Sequence, residues 1–191
     1  ELFRLLTKEQ GKPHAQAEME IGGAPANIRA QASLEFQDVI NEDSQDRLSR
    51  TRRVPVGVVG GIVPWNFPVL MAIQKVAPAL LSGCTIVLKP SPFTPLTTLK
   101  IAELIADKVP AGVLNIITGE DSLGPLITAH KDIDKVTFTG STATGKKIME
   151  GASKDLKRIT LELGGNDASI VLPDADVKKV AEQLFWASFS N

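Results

Sequence analysis

Val136-Thr137-Phe138-Thr139-Gly140-Ser141-Thr142-Ala143-Thr144-Gly145-Lys146-Lys147 runs from an apolar strand, through a turn bracketed by two glycines, into the start of a helix. Small residues at such a turn let the backbone approach a ligand, and the free N–H groups of a new helix face an anion. Ser141, Thr142 and Thr144 add hydroxyl groups at the same spot. The spacing is not G-x-G-x-x-G. Gly140 and Gly145-Lys146 come close to the P-loop pattern, but Lys147 stands where that pattern has Ser or Thr. On its own the stretch reads either as a phosphate site or as a plain strand-to-helix turn.

Its surroundings favour the phosphate site. Upstream, Val54–Val63 is β-branched and Gly-rich, as a buried strand with close backbone neighbours would be. It ends at Pro64-Trp65-Asn66-Phe67-Pro68, and a helix from Val69 to about Leu81 closes on Gly83. Strand Thr85–Lys89 and the turn Pro90–Pro95 follow, then a helix with Thr94 as N-cap and Pro95 in its first turn. Strand Val113–Ile117 and a short helix over Leu123–Ala129 lead back to the opening stretch. Downstream, Ile159–Leu163 and Ala168–Leu172 read as strands and Val177–Phe189 as a helix. Strands alternating with helices predict an α/β fold, a Rossmann-like parallel sheet with helices on both faces. Ligands of such sheets sit at the carboxyl ends of the strands, where Asn66, Lys89, Ser91, Gly140, Ser141 and Glu162 all fall.

Before Val54 the pattern differs. Residues 1–36 read as helix, with a break at Gly11-Lys12-Pro13 and a second interruption at Gly22-Gly23-Ala24-Pro25 that predicts two helices or one kinked one. Residues 37–53 are polar, and form either an exposed hairpin suited to a partner subunit or a loop. Three segments follow: 1–36 helical, 37–53 hairpin, 54–191 nucleotide-binding.

A net charge of −1 over 191 residues gives no electrostatic case for nucleic acid or an anionic membrane. The best apolar run, Val76–Leu88, is interrupted by Ser82 and Gly83, so no membrane span is expected. A single cysteine excludes an internal disulfide framework. With no signal-like segment, it points to the cytoplasm.

Four motifs then stand in order: Pro64-Trp65-Asn66-Phe67-Pro68, Lys89-Pro90-Ser91, Phe138-Thr139-Gly140-Ser141-Thr142-x-x-Gly145 and Leu161-Glu162-Leu163-Gly164-Gly165. Together they resemble the cofactor-binding half of the NAD(P)-dependent aldehyde dehydrogenase superfamily, and the likeness covers essentially the whole chain. The resemblance implies NAD as cofactor, an aldehyde as substrate, and a homo-dimer or homo-tetramer. It implies a pyrophosphate on the helix opened by Gly140–Gly145, with Ser141 as hydroxyl donor, and Lys89 on the adenosine ribose. Ile62 and Trp65 would line the cofactor channel, Gly119 and Gly124 the adenine side. Pro64, Ser91, Phe138 and Leu163 lie in or beside the same motifs and join the implied cofactor contacts.

For catalysis the resemblance implies Asn66 as the amide that stabilises an oxyanion and Glu162 as the general base that hydrolyses an enzyme thioester. A neutral amide suits the first role; the residues alone allow Asn66 to be a helix N-cap instead. A carboxylate between Leu161 and Leu163 should be partly desolvated, which would raise its pKa. The family's CoA-acylating branch lacks this glutamate, so its presence points to hydrolytic oxidation to a carboxylic acid.

Two features depart from the family. Its nucleophilic cysteine follows a Phe-x-Asn-x-Gly-Gln-x-Cys pattern, of which Phe189-Ser190-Asn191 supplies the opening. Cys84 reads as a packing residue, so the chain is expected to be a segment of a longer dehydrogenase. Pro92 stands where many NAD-preferring relatives carry a glutamate that repels a 2′-phosphate. NAD is therefore expected as primary cofactor with NADP tolerated, Lys89 and Ser91 meeting the extra phosphate. The alternative is a truncated, non-catalytic nucleotide-binding or subunit-interaction module.

Overall fold

In a computed structural model that describes residues 1–189, the chain from Val58 onward builds a five-stranded sheet. Its strands are β3 (Val58–Ile62), β4 (Thr85–Lys89), β5 (Leu114–Ile116), β6 (Lys135–Gly140) and β7 (Arg158–Leu163). All adjacent pairs are parallel and the order is β5-β4-β3-β6-β7. The chain thus winds outward from β3 to one edge, returns to its other side, and winds to the opposite edge. The reversal puts the switch point between β3 and β6, where a parallel sheet opens a crevice at its carboxyl end.

Alternation along the strands divides the core. Val136 and Phe138 of β6 pack with Ile62, Ile127, Ile133 and Ile148 beneath α5 (Leu123–Ala129) and α6 (Thr142–Ser153). On the other face Val59, Ile86 and Leu88 pack with Ala72 and Ala79 of α3 (Pro68–Leu81), and α4 (Leu96–Ile105) lies beside it. Helices cover both faces, as the alternating pattern predicts.

The amino-terminal helices brace the α3 face. Helix α1 (Leu2–Gln10) ends on Gly11, whose φ of 89° is a left-handed cap that turns the chain sharply. Helix α2 is one helix from His14 to Ala32, so of the two alternatives at Gly22–Pro25 the division into two helices does not occur. Ile21 and Ala24 pack on Val69 and Ile73 of α3 on either side of the Gly pair, and this tertiary contact outweighs the low helix propensity. Residues 39–51 form an exposed antiparallel hairpin of β1 (Val39–Asp43) and β2 (Leu48–Thr51).

Three further expectations need correction. No strand forms over Ala168–Leu172. Its apolar residues are exposed, and a strand needs a neighbour that no described residue supplies. The strand at Val54–Val63 begins only at Val58, after Pro55 and the left-handed Gly57. Helix α4 is not capped by Thr94; both oxygens of Glu9, from α1, accept the Leu96 and Thr97 amides at 2.7 and 2.9 Å. The Ser190–Asn191 part of the Phe-x-Asn match lies outside the described residues.

Candidate functional site

Ile62 of β3, Lys89 of β4 and Phe138 of β6 stand in one register row at the carboxyl ends of the three central strands. They open into a cleft of about 570 Å³ at the switch point, on the α5/α6 side of the sheet. Pro64, Trp65, Ser91, Gly124, Gly140 and Ser141 are also part of its wall, with Pro92 beside Ser91. Trp65 is 52% exposed, so it is a wall of the cleft and not a core residue.

Two helix-start features shape the floor. Ser141 is the N-cap of α6: its Oγ accepts the Thr144 amide at 3.2 Å and lies 3.0 Å from Thr144 Oγ1. The hydroxyl expected to serve a ligand is therefore engaged with its own helix, leaving the other opening amides as donors. Gly140 and Gly145 keep the turn flat. A Cβ at Gly140 would lie 2.5 Å from the Phe138 ring, and one at Gly145 would lie 2.6 Å from Leu163 Cδ2.

Lys89 is the buried cation of the cleft, whose wall also carries Lys147 and Lys154. It is 3% exposed, and its Nζ makes one hydrogen bond among the described residues, to Pro90 O at 3.4 Å. Burial lowers its pKa, with Asp121 and Glu120 pulling the other way. A buried ammonium, the Ser91 hydroxyl, helix-start amides and an apolar wall are the donor set that a phosphate- and ribose-bearing ligand needs. A dinucleotide fits them. Gly119, Gly145 and Leu163 do not line the cleft; Gly119 packs on Leu123, and the other two pack on each other where α6 meets β7.

The two residues with implied chemical roles lie elsewhere. Glu162 pairs with Thr139 in the β6–β7 register, while Gly140 pairs with Leu163. Since Leu163 faces α6, Glu162 projects to the α3 face. It is solvent-exposed, so the expected desolvation is absent; β7 is the sheet edge, and α6 packs on its other face only. Across that face lies Lys75, a residue that motif reading passed over. Its Nζ donates to Thr137 and Thr139 Oγ1 at 3.2 and 2.9 Å. Burial lowers its pKa to about 8 against the pull of Glu162 and with a small push from Lys135. Helical spacing contained a signal: Pro68, Ala72, Lys75 and Ala79 share one buried stripe of α3.

Asn66 sits just before α3 and does not cap it. Phe67 holds the cap position without a side-chain bond, and the Val69 and Leu70 amides go instead to Glu20 Oε1 at 2.9 and 3.0 Å. The Asn66 amide makes no hydrogen bond among the described residues and is exposed. Cys84 is 4% exposed, within the α3-side core, where Val56 N and Ser82 Oγ donate to its sulfur at 3.3 and 3.4 Å. Burial raises its pKa, but hydrogen bonds from Ser82, Gly57 and Val56 outweigh this and leave it below the ordinary value. Closed off from solvent and absent from the cleft wall, it has no substrate to meet. Among the described residues no cluster of potential metal ligands occurs, and no helix is long and apolar enough to cross a membrane.

Sheet order, switch-point cleft and donor set define a nucleotide-binding protein of the parallel α/β class. More narrowly, the chain belongs to the aldehyde dehydrogenase family, whose family model matches residues 1–191. It is 47% identical over 193 residues to a probable aldehyde dehydrogenase of a Pseudomonas species, covering all of this chain and 39% of that protein. It is 42% identical over 196 residues to the NADP(+) succinate-semialdehyde dehydrogenase GabD of Escherichia coli, covering 100% of this chain and 41% of the relative. The crystal structure of PnpE in complex with nicotinamide adenine dinucleotide superposes with a TM-score of 0.94 at 38% identity, over 99% of this chain and 40% of that one. The chain thus spans about 40% of the length of the relatives it matches.

Proposed function

We propose that this chain is the cofactor-binding portion of an enzyme that oxidises an aldehyde to a carboxylic acid with NAD(P) as hydride acceptor. The observation that carries the reading is the cleft at the β3/β6 switch point in a chain of this family, with Lys89, Ser91 and the start of α6 at its wall. Lys89 holds the ribose end and the α6 amides hold the pyrophosphate, while Ile62, Pro64, Trp65 and Phe138 enclose the apolar part. The bound nicotinamide supplies a hydride acceptor. Gly140 serves by letting the backbone approach, Gly145 by seating Leu163 against α6, and Gly119 by packing on Leu123 at the start of α5.

Asn66, freed from capping, donates its amide to the oxyanion that develops when a cysteine thiolate from another part of the protein adds to the aldehyde. Glu162 takes a proton from the water that hydrolyses the thioester. Lys75, poised near pH 8 on the same face, is a basic neighbour for that proton. Residues 54–191 form the nucleotide domain, residues 1–36 brace it, and the 37–53 hairpin joins subunits into a dimer or tetramer in the cytoplasm. NAD is read as the primary cofactor, and because Pro92 in the cleft wall cannot repel a 2′-phosphate, NADP is admitted too. The NADP(+) dependence in the name of the Escherichia coli relative supports that latitude.

The test uses the complete protein with NAD(+) and a simple aldehyde such as propanal. Glu162→Gln should release one NADH per active site and then stall, with steady turnover down by about 10²–10⁴-fold. Ordinary turnover in that variant would remove the hydrolytic role. Strict exclusion of NADP from the wild-type protein would overturn the cofactor reading.

A further inference from the structure

Lys12 and Glu20 form the most enclosed ion pair among the described residues. Lys12 Nζ lies 2.7 Å from Glu20 Oε2, with side-chain exposures of 0% and 1%. The same ammonium donates to the backbone oxygen of Asn66 at 2.9 Å and stands 3.7 Å from the centre of the Phe67 ring. The other carboxylate oxygen, Glu20 Oε1, takes the Val69 and Leu70 amides. Every donor direction of the ammonium and both carboxylate oxygens are thereby used.

This is more than α3 needs for stability. A serine or aspartate at Phe67 would cap the helix locally. A buried ion pair is often no more stabilising than an apolar pair of the same volume. The contacts bracket one residue: Lys12 fixes the carbonyl of Asn66 itself, and Glu20 fixes the first amides of the helix that Asn66 leads into. Between these anchors the Asn66 side chain is exposed and unbonded among the described residues. The anchored backbone then fixes where that side chain starts and which rotamers it can use. An oxyanion donor works only when held within a few tenths of an ångström of its productive position.

We propose that Lys12 and Glu20 are positioning residues for the aldehyde-oxidising reaction: they lock the Asn66 peptide so that its amide is pre-aimed at the developing oxyanion. The inference rests on the reading of Asn66 given above. The pair touches neither substrate nor cofactor and acts through Asn66.

The experiment is a mutant cycle in the complete enzyme with Lys12→Met, Asn66→Ala and both together. It reads the first-turnover rate of NADH formation per folded active site, NAD(+) affinity and Tm. Lys12→Met should slow the first turnover by roughly 10- to 100-fold while NAD(+) affinity moves by less than about twofold. In the Asn66→Ala background the same substitution should add less than about twofold, because the amide it would misdirect is gone. Full multiplicative loss in both backgrounds, or a lower Tm with an unchanged rate per folded site, overturns the proposal. An unchanged rate in Asn66→Ala alone sinks the oxyanion reading itself, and is told apart by that single variant. Should Lys12→Met fail to fold, the near-isosteric Glu20→Gln enters the same cycle with the same expected pattern, and Lys12→Arg should restore most of the rate.

Discussion

Helices α3 and α6 both follow a central strand of the sheet, yet their first turns are finished in opposite ways. At α3 a carboxylate from α2, Glu20, takes two opening amides that lie 49 and 50 residues further along the chain. At α6 the cap is the helix's own Ser141, a neutral hydroxyl that satisfies Thr144 and leaves the helix mouth open to the cleft. Helix α4 follows the first pattern, with Glu9 of α1 on Leu96 and Thr97. A fixed carboxylate neutralises the positive end of a helix and repels any other anion there. The amino-terminal helices therefore close two of these three helix starts to phosphate, and the third faces Lys89. Anion selectivity here is a matter of which helix starts are blocked.

The first way to break this contrast is to remove the carboxylate at α3. Glu20→Ala leaves the Lys12 ammonium buried without its partner and two amides without an acceptor. The expected loss is about 3–5 kcal/mol of unfolding free energy, by analogy with other broken buried pairs. Denaturant titration of the complete protein would read it. A loss below about 1 kcal/mol would mean that water enters and replaces the carboxylate, and that α3 is not closed in the sense described.

The second change makes α6 resemble α3. Ser141→Asp keeps a good N-cap, so Tm should hold, but it places a negative charge where the pyrophosphate is proposed to lie. NAD(+) affinity should fall about 100-fold, within the few kcal/mol that two charges some 4 Å apart exchange near a protein surface. Calorimetric titration distinguishes the outcomes: undiminished affinity would move the pyrophosphate away from α6.

The same contrast explains what the sequence disclosed. The α6 start is built from contiguous residues, Phe138 to Gly145, so its chemistry is legible along the chain, as is the strand–helix alternation that makes the sheet. The α3 start is assembled from Lys12, Glu20 and residues 66–70. Neither charged residue carries any local sign of burial: Lys12 sits in a Gly-Lys-Pro break and Glu20 in a helix with no clear apolar stripe. Asn66 before Pro68 even looks like the cap that Glu20 provides. Lys75 lies between these cases, since its place in the 68/72/75/79 stripe was readable but its partners Thr137 and Thr139 were not. Local β-propensity misled at Ala168–Leu172 for a related reason, because a strand exists only with a neighbour to pair with. The exposed position of Glu162 follows from the same edge.

The smallest expected effect separates the two blocked helices from each other. Glu9 is only partly buried, and no cation pairs with it among the described residues, so removing it strands no charge. Glu9→Ala leaves the amides of exposed Leu96 and buried Thr97 without their acceptor, and the cost should be that of an ordinary lost cap, about 1 kcal/mol. Because the α4 start lies apart from Asn66, first-turnover rate should not change, whereas substitutions at the Lys12–Glu20 pair should lower it. The measurement is again denaturant unfolding alongside single-turnover kinetics. If Glu9→Ala slowed the first turnover as Lys12→Met is expected to, the two carboxylates would be general braces of the helical layer, and the special tie between Lys12, Glu20 and Asn66 would dissolve.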